Sequence, residues 1–194
     1  MIQHKKIILA SQSPRRQELL KQLGVQFEIK VLDIDETFPE NLPPYEVPEY
    51  LAKLKSKEFK SEKLENTCII TSDTVVINND KILGKPVDKK DALKMILDLS
   101  NKEHHVVTGV CIQFHDKEKV FRSVSKVIFE NITEAEANYY INNFSPLDKA
   151  GSYGIQEWIG QAKIKKIEGC YYNIMGLPLN ALYNHLIKEK VLSL

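Results

Sequence analysis

Apolar and polar positions along the 194-residue chain alternate between two patterns. Short unbroken apolar runs bounded by turn residues read as buried strands, and stretches with apolar residues three and four apart read as helices. "KKIILAS" (residues 5–11) is a run of the first kind. Pro14 to Leu23 follows with helical spacing and is stopped by Gly24, and "VQFEIKVL" (25–32) is a second apolar run. Strand, helix and strand in that order predict an α/β chain with a parallel-sheet nucleus. Asp33 to Pro48 carries four prolines and several acids, which predicts a loop. Val47 to Leu64 then has the pattern of an amphipathic, lysine-rich helix.

"TCIITSDTVVINNDKILGKP" (67–86) predicts a buried strand running into a hairpin with Asn78, Asn79 and Asp80 at its turn. Asp88 is placed to cap a helix through Leu99. "HHVVTGVCIQFH" (104–115) and "KVFRSVSKVIFENI" (119–132) predict a second hairpin around "DKEK" (116–119). Thr133 to Asn143 reads as a helix behind a Thr-x-x-Glu capping box, and Leu179 to Lys190 as a further helix. No repeat, low-complexity stretch or linker breaks the chain. The expected organisation is one domain over residues 1–194, with hairpin insertions and room for two lobes around a cleft.

Composition narrows the function classes. Lys and Arg total 27 against 26 Asp and Glu, a net charge of +1, so no basic excess holds a polyanion and nucleic acid is not an expected partner. No window approaches the ~20 apolar residues of a membrane span, and the first apolar run is too short for a signal peptide. Cys68, Cys111 and Cys170 lie far apart beside apolar or aromatic residues, which predicts buried free thiols in a reducing compartment, the cytoplasm. His104 and His105 are neighbours on a predicted strand and face opposite sides, so they cannot ligate one ion together.

Candidate chemistry begins at "SQSPRR" (11–16). Pro14 suits a first helical turn and Ser13 an N-cap, so the helix start, Ser11, Ser13 and Arg15 or Arg16 converge as an anion site. Alone, the stretch reads more readily as a capped helix with solvated arginines than as an anion site; partners decide. Asp73 stands at the end of an apolar strand, where a carboxylate needs a cation, a metal or donors. Lys85 follows a glycine and precedes a proline, Glu36 lies in the acidic loop and Lys55 projects from the helix behind it. Two acids and several cations can hold a Mg²⁺–polyphosphate and direct water at phosphorus. "DKAGSYGIQEWIG" (148–160) adds glycines that admit close approach, Tyr153 to stack on a base and Gln156 to read its edge.

"LASQSPRR", "SDTVV", "GKP", "HHVVTGV", "DKAGSYGIQ" and "YYNIMGLPL" occur in the order and spacing of the Maf family, septum-formation-inhibitor-like nucleoside triphosphate pyrophosphatases, and the resemblance spans almost the whole chain. It implies a Maf/inosine-triphosphatase-like fold, a mixed central sheet flanked by helices with a cleft. It further implies a cytoplasmic homodimer that cleaves a nucleotide to monophosphate and pyrophosphate with Mg²⁺ or Mn²⁺. By motif position Asp73 matches the proton acceptor, and Arg15, Thr74 and Gln156 match substrate-choice positions. Ser11, Arg16, Glu36, Lys55 and Lys85 match phosphate- and metal-handling positions, with Glu36 and Asp73 as the metal carboxylates. "YGIQ" resembles the branch acting on dTTP and UTP, with house-cleaning and cell-division roles as the wider expectation and a non-catalytic, nucleotide-binding regulator of septum formation as the alternative. Glu157, Trp158 and Asn101 depart from the family pattern, and Glu157 sets an extra acid beside the base-reading glutamine.

Overall fold

Ser13 ends the first strand-to-helix connection as an N-cap, in extended backbone, with its hydroxyl accepting from the Arg16 amide and Pro14 in the first helical turn. The helix it opens, α1 (Pro14–Gln22), follows β1 (Ile2–Gln3) and β2 (Lys6–Leu9) and leads to β3 (Glu28–Ile29). The computed structural model describes residues 1–31, 34–59, 66–114 and 117–194. Beyond β3 come α2 (Val47–Lys57), β4 (Thr67–Asn78), β5 (Lys81–Leu83), α3 (Lys89–Leu99), β6 (Glu103–Phe114) and β7 (Lys117–Phe129). The chain continues through α4 (Glu134–Phe144), α5 (Trp158–Lys163), β8 (Ile164–Glu168), α6 (Tyr171–Ile174), α7 (Leu179–Lys188) and β9 (Leu192–Ser193).

The main sheet runs β3-β2-β4-β6-β7-β8, with β5 paired to β4. β2 pairs parallel with both β3 and β4, so the expected parallel nucleus is present. Antiparallel β4–β5 and β7–β8 pairs make the sheet mixed. The β4–β5 hairpin has Asn78 opposite Lys81. Its two linking residues, Asn79 and Asp80, have φ of 48° and 59°, the left-handed backbone that a two-residue hairpin needs and that Asn and Asp tolerate.

The chain divides into two compact units. The first comprises Met1–Asp73, Thr108–Ser123 and Gly176–Leu194. Its buried side chains include Ile7 and Leu9 of β2, Leu19 and Leu20 of α1, Leu51 and Ala52 of α2, Ile69 and Ile70 of β4, and Leu182 and Leu186 of α7. The second comprises Thr74–Val107 and Val124–Met175, with a core around Ile96, Leu99, Val106, Phe129, Tyr140 and Ile159. The capping box at Thr133 and Glu136 opens α4 as expected, and the Asp88 side chain caps α3.

Several expected elements differ in extent. β3 keeps two residues of the run 25–32, whose Leu32 lies outside the described residues, as does Asp33 of the expected loop. α2 stops at Lys57, and residues 60–64 of the expected helix lie outside the described residues. β7 begins at Lys117, so three residues of the expected "DKEK" turn are strand, while His115 and Asp116 lie outside the described residues. α7 ends at Lys188 because Lys190 adopts φ 55°. Cys68 and Cys111 are buried, but Cys170 is half-buried at the start of α6, a correction to the expectation of three buried thiols.

Candidate active site

In the first unit the helix-start chemistry is organised around Arg16. Its Nε donates to the Gly176 carbonyl at 2.8 Å and its Nη1 to the Ser72 carbonyl at 2.9 Å. The Ser72 hydroxyl donates to the same Gly176 oxygen at 3.0 Å. A guanidinium has fork geometry and cannot rotate away from two such acceptors, so the charge is fixed in place. Burial pushes the Arg16 pKa below its ordinary value; Asp73 and Glu36 act against that shift and Arg15 acts with it. The group remains a cation, in the joint field of two acids and a second arginine.

Ser11 and Ser13 serve the turn itself. The Ser11 hydroxyl accepts from the Ser13 amide at 3.2 Å, and the Ser13 hydroxyl accepts from the Arg16 amide at 3.5 Å. The expectation of free helix-start amides at these positions is therefore corrected: both are capped by the serines, whose hydroxyl protons are what they can still offer an anion.

Lys55 comes from α2, and the close seating of that helix has a specific cause. An added Cβ at Gly109 of β6 would lie 2.2 Å from the Pro48 carbonyl carbon and 2.3 Å from the Glu49 nitrogen, so only glycine admits the α2 backbone there. The Thr71 hydroxyl of β4 donates to the Ala52 carbonyl at 2.6 Å, and the Ser56 hydroxyl donates to Gln113 Oε1 at 2.6 Å. Ion pairs Arg122–Glu49 at 2.6 Å and Lys53–Glu118 at 3.1 Å add to the same face. Held this way, the Lys55 ammonium meets Asp73 Oδ1 at 2.7 Å and Glu36 Oε1 at 2.8 Å. Lys55 and Asp73 side chains are only 14% and 12% exposed, while Glu36 is 53% exposed. The ammonium lies between two carboxylates and offsets their mutual repulsion.

No cluster of three His, Cys, Asp or Glu gathers among the described residues. Glu36 and Asp73 nevertheless supply two hard oxygen donors converging on a cation. That set suits Mg²⁺ or Mn²⁺, which take one or two carboxylates and fill the remaining positions with water and phosphate oxygens.

The second unit holds the other candidates. Thr74 follows Asp73 along β4 and is half-buried. Lys85 is exposed in the β5–α3 connection, where the Gly151 amide donates to the Gly84 carbonyl at 3.0 Å and ties that loop to the glycine-rich segment. Gly151 has φ 66° and its added Cβ would lie 2.9 Å from the Val76 side chain, so the segment packs on β4 through a glycine. Gln156 has its Oε1 buried and without a hydrogen-bond partner.

Two expectations for this segment are corrected. Tyr153 does not offer a stacking face: it is 6% exposed, edge-on to Phe129 and His104, with its hydroxyl 2.8 Å from His104 Nε2. Apolar packing of the ring outweighs exposure of one hydroxyl that His104 already satisfies. Glu157 is not a loose acid beside Gln156, because Lys149 and the Tyr140 hydroxyl bind its carboxylate. His104 itself is buried beside the Phe129 and Tyr153 rings, and burial drives its pKa down to about 3 and keeps it neutral.

The profile of the family described as Maf-like protein matches residues 6–189. This chain belongs to the Maf family. A dTTP/UTP pyrophosphatase of Porphyromonas gingivalis is 48% identical over 184 residues, covering 93% of this chain and 92% of its own. One of Christiangramia forsetii is 47% identical over 186 residues, covering 96% and 95%. The solved structure of the Staphylococcus aureus Ham1 protein shares the fold, with a TM-score of 0.56 at 17% identity, covering 95% of this chain and 100% of that one. The Maf chain thus has the expected mixed-sheet architecture. Sequence reasoning missed Ser72, Gly176, Thr71 and Gly109 as organisers of the site: Ser72 and Gly176 act through carbonyls and Gly109 through a close backbone approach, which have no side-chain signature, and the Thr71 hydroxyl serves a backbone carbonyl distant in sequence.

Proposed function

We propose that this Maf protein hydrolyses dTTP and UTP to the nucleoside monophosphate and pyrophosphate, with Mg²⁺ or Mn²⁺ as cofactor. The observation that carries the proposal is the convergence of Glu36 and Asp73 on Lys55, in the electrostatic reach of Arg16, within a chain 48% identical to a dTTP/UTP pyrophosphatase. A polyanion receptor alone gains nothing from two acids; a metal-assisted hydrolase needs them. The homodimeric state and cytoplasmic location rest on the family resemblance. No helix among the described residues is long and apolar enough to cross a membrane.

Each residue has a chemical task in this reading. Arg16, held by the Ser72 and Gly176 carbonyls, presents fixed positive charge to the phosphates, and Arg15 adds to it. Glu36 and Asp73 would hold the metal, which when bound neutralises phosphate charge and lowers the pKa of a coordinated water. Asp73 meets Lys55 through Oδ1, so Oδ2 is the oxygen that takes the proton of the water attacking the α-phosphorus. Lys55 bridges the two carboxylates through its ammonium, and Lys85 is assigned to the phosphate chain by motif position.

The orphaned Gln156 Oε1 supports the base assignment. A buried acceptor without a donor is costly, and the imide N–H of uracil or thymine supplies one, while the amide NH₂ donates to an adjacent ring carbonyl. Cytosine presents an acceptor and an amino group at those positions and satisfies neither. The test is pyrophosphate release from UTP, dTTP, CTP and GTP with and without EDTA. UTP and dTTP should lead, EDTA should abolish turnover, and Mg²⁺ or Mn²⁺ should restore it. Orthophosphate as the product, or indifference to EDTA, overturns the proposal.

A further inference from the structure

Gln156 sits third in a tight turn. The Glu157 amide donates to the Gly154 carbonyl at 3.0 Å, which makes Ile155 and Gln156 its two central residues. Ile155 is buried at 4% exposure and anchors the turn in the core. Both ends of the turn then meet one phenol: the Gly154 amide donates to the Tyr140 hydroxyl at 2.9 Å, and that hydroxyl donates to Glu157 Oε2. Glu157 Oε1 accepts from Lys149 Nζ at 3.2 Å, and Lys149 also pairs with Asp148 at 2.7 Å. The Lys149 side chain is only 8% exposed and that of Glu157 19%, so the charges offset each other away from bulk water.

Two details show that the carboxylate serves the turn. Glu157 is the N-cap residue of α5, yet its side chain caps no amide of that helix. An added Cβ at Gly154 would lie 2.7 Å from the Glu157 carboxyl carbon, so the acid occupies the space that a side chain at 154 would fill.

We infer that Glu157 is a positioning residue for base selection: its carboxylate, held by Tyr140 and Lys149, fixes the Gly154–Glu157 turn and thereby aims the Gln156 amide. The inference rests on the reading of Gln156 as the group that contacts the base. Glu157→Ala frees one end of the turn and strands the Lys149 ammonium beside Asp148 alone. Tyr140→Phe removes the shared hydroxyl and keeps the ring in the core. Glu157→Gln keeps an acceptor for Tyr140 but no charge for Lys149.

The experiment measures kcat and KM for UTP and CTP in wild type, Gln156→Ala, these three variants and the Gln156→Ala/Glu157→Ala double variant, with thermal unfolding alongside. Loss of a well-aimed hydrogen bond should lower the UTP:CTP ratio of kcat/KM by about 10-fold in Glu157→Ala and Tyr140→Phe, mainly through KM for UTP, with CTP changed by less than about twofold. Glu157→Gln should return the ratio to within about threefold of wild type, since the phenol retains its acceptor. In the Gln156→Ala background Glu157→Ala should change the ratio no further, because the two act as one unit. A ratio unchanged in Glu157→Ala and Tyr140→Phe, while Gln156→Ala collapses it, overturns the positioning role and leaves base reading intact. A ratio unchanged in Gln156→Ala overturns base reading and the inference with it. If Glu157→Ala fails to fold, Tyr140→Phe decides the matter by the same ratio.

Discussion

Replacing Gly109 with alanine tests whether close packing of α2 sets the position of Lys55. The new Cβ would lie 2.2 Å from the Pro48 carbonyl carbon, whereas ordinary contacts begin near 3.4 Å, so strand and helix must separate by roughly 1 Å. The obstructing atoms are backbone, which cannot rotate aside as a side chain can. Overpacking of this kind costs ~1–3 kcal/mol, which for a chain of this size lowers Tm by about 2–12 °C. The functional cost is larger. Lys55 lies two helical turns beyond Pro48 on the same rigid segment, and its 2.7 Å and 2.8 Å contacts to Asp73 and Glu36 do not survive such a displacement together. Misplacement by about 1 Å of a charged group at a reacting centre costs on the order of 10²-fold in rate. The assay is pyrophosphate release from UTP at a temperature well below the variant's Tm, with Lys55→Ala measured in parallel. A Gly109→Ala protein with lowered Tm and kcat/KM within about twofold of wild type refutes the link between this glycine and Lys55.

Asp73→Asn keeps the shape of the side chain but removes its charge, so kcat should fall by at least ~10²-fold with the fold intact by circular dichroism; near-normal turnover would move the proton acceptor elsewhere. Burial pushes the Cys68 and Cys111 thiols up to about 12, so a disulfide-exchange reagent should label Cys170 alone in the native protein and all three after denaturation. His104 has a folded pKa of about 3 against 6.5 unfolded, so between these values the unfolded chain binds a proton that the folded chain refuses. Stability should therefore be full above pH 6.5 and fall toward pH 3, by at most about 1.4 kcal/mol per pH unit from this group. His104→Gln should flatten that slope in urea titrations, and an unchanged slope would assign the acid sensitivity to other groups.

Elements with local causes were legible in the chain. The Asn78-Asn79-Asp80 turn, the Asp88 cap and the Thr133–Glu136 capping box are each written in two to four neighbouring residues, and each formed, with Asn78 kept in the strand and only Asn79 and Asp80 linking the hairpin. The residues 158–174 were not read as α5, β8 and α6, because elements of four to six residues carry too little periodicity to separate from loop. At the site, the acids and cations were legible as types, since a carboxylate in an apolar strand demands a partner. Which partner each takes was not. Tyr153 was expected to face a ligand and faces the core, and Glu157 was expected to perturb the base pocket and turns toward Lys149, because a glycine-rich segment folds without a period that would fix either face.

The Arg16 clamp has a consequence for how the molecule assembles. Its bond to Gly176 spans 160 residues and its bond to Ser72 spans 56, against the short separations that build α1 itself. Closing so long a stretch of chain carries a loop-entropy cost that only neighbouring native contacts can offset, so such bonds form after local helices and hairpins. Catalytic competence is therefore a late event on the folding route. In a refolding experiment, pyrophosphate release should recover more slowly than helical circular dichroism, and a Gly176 substitution should widen that interval.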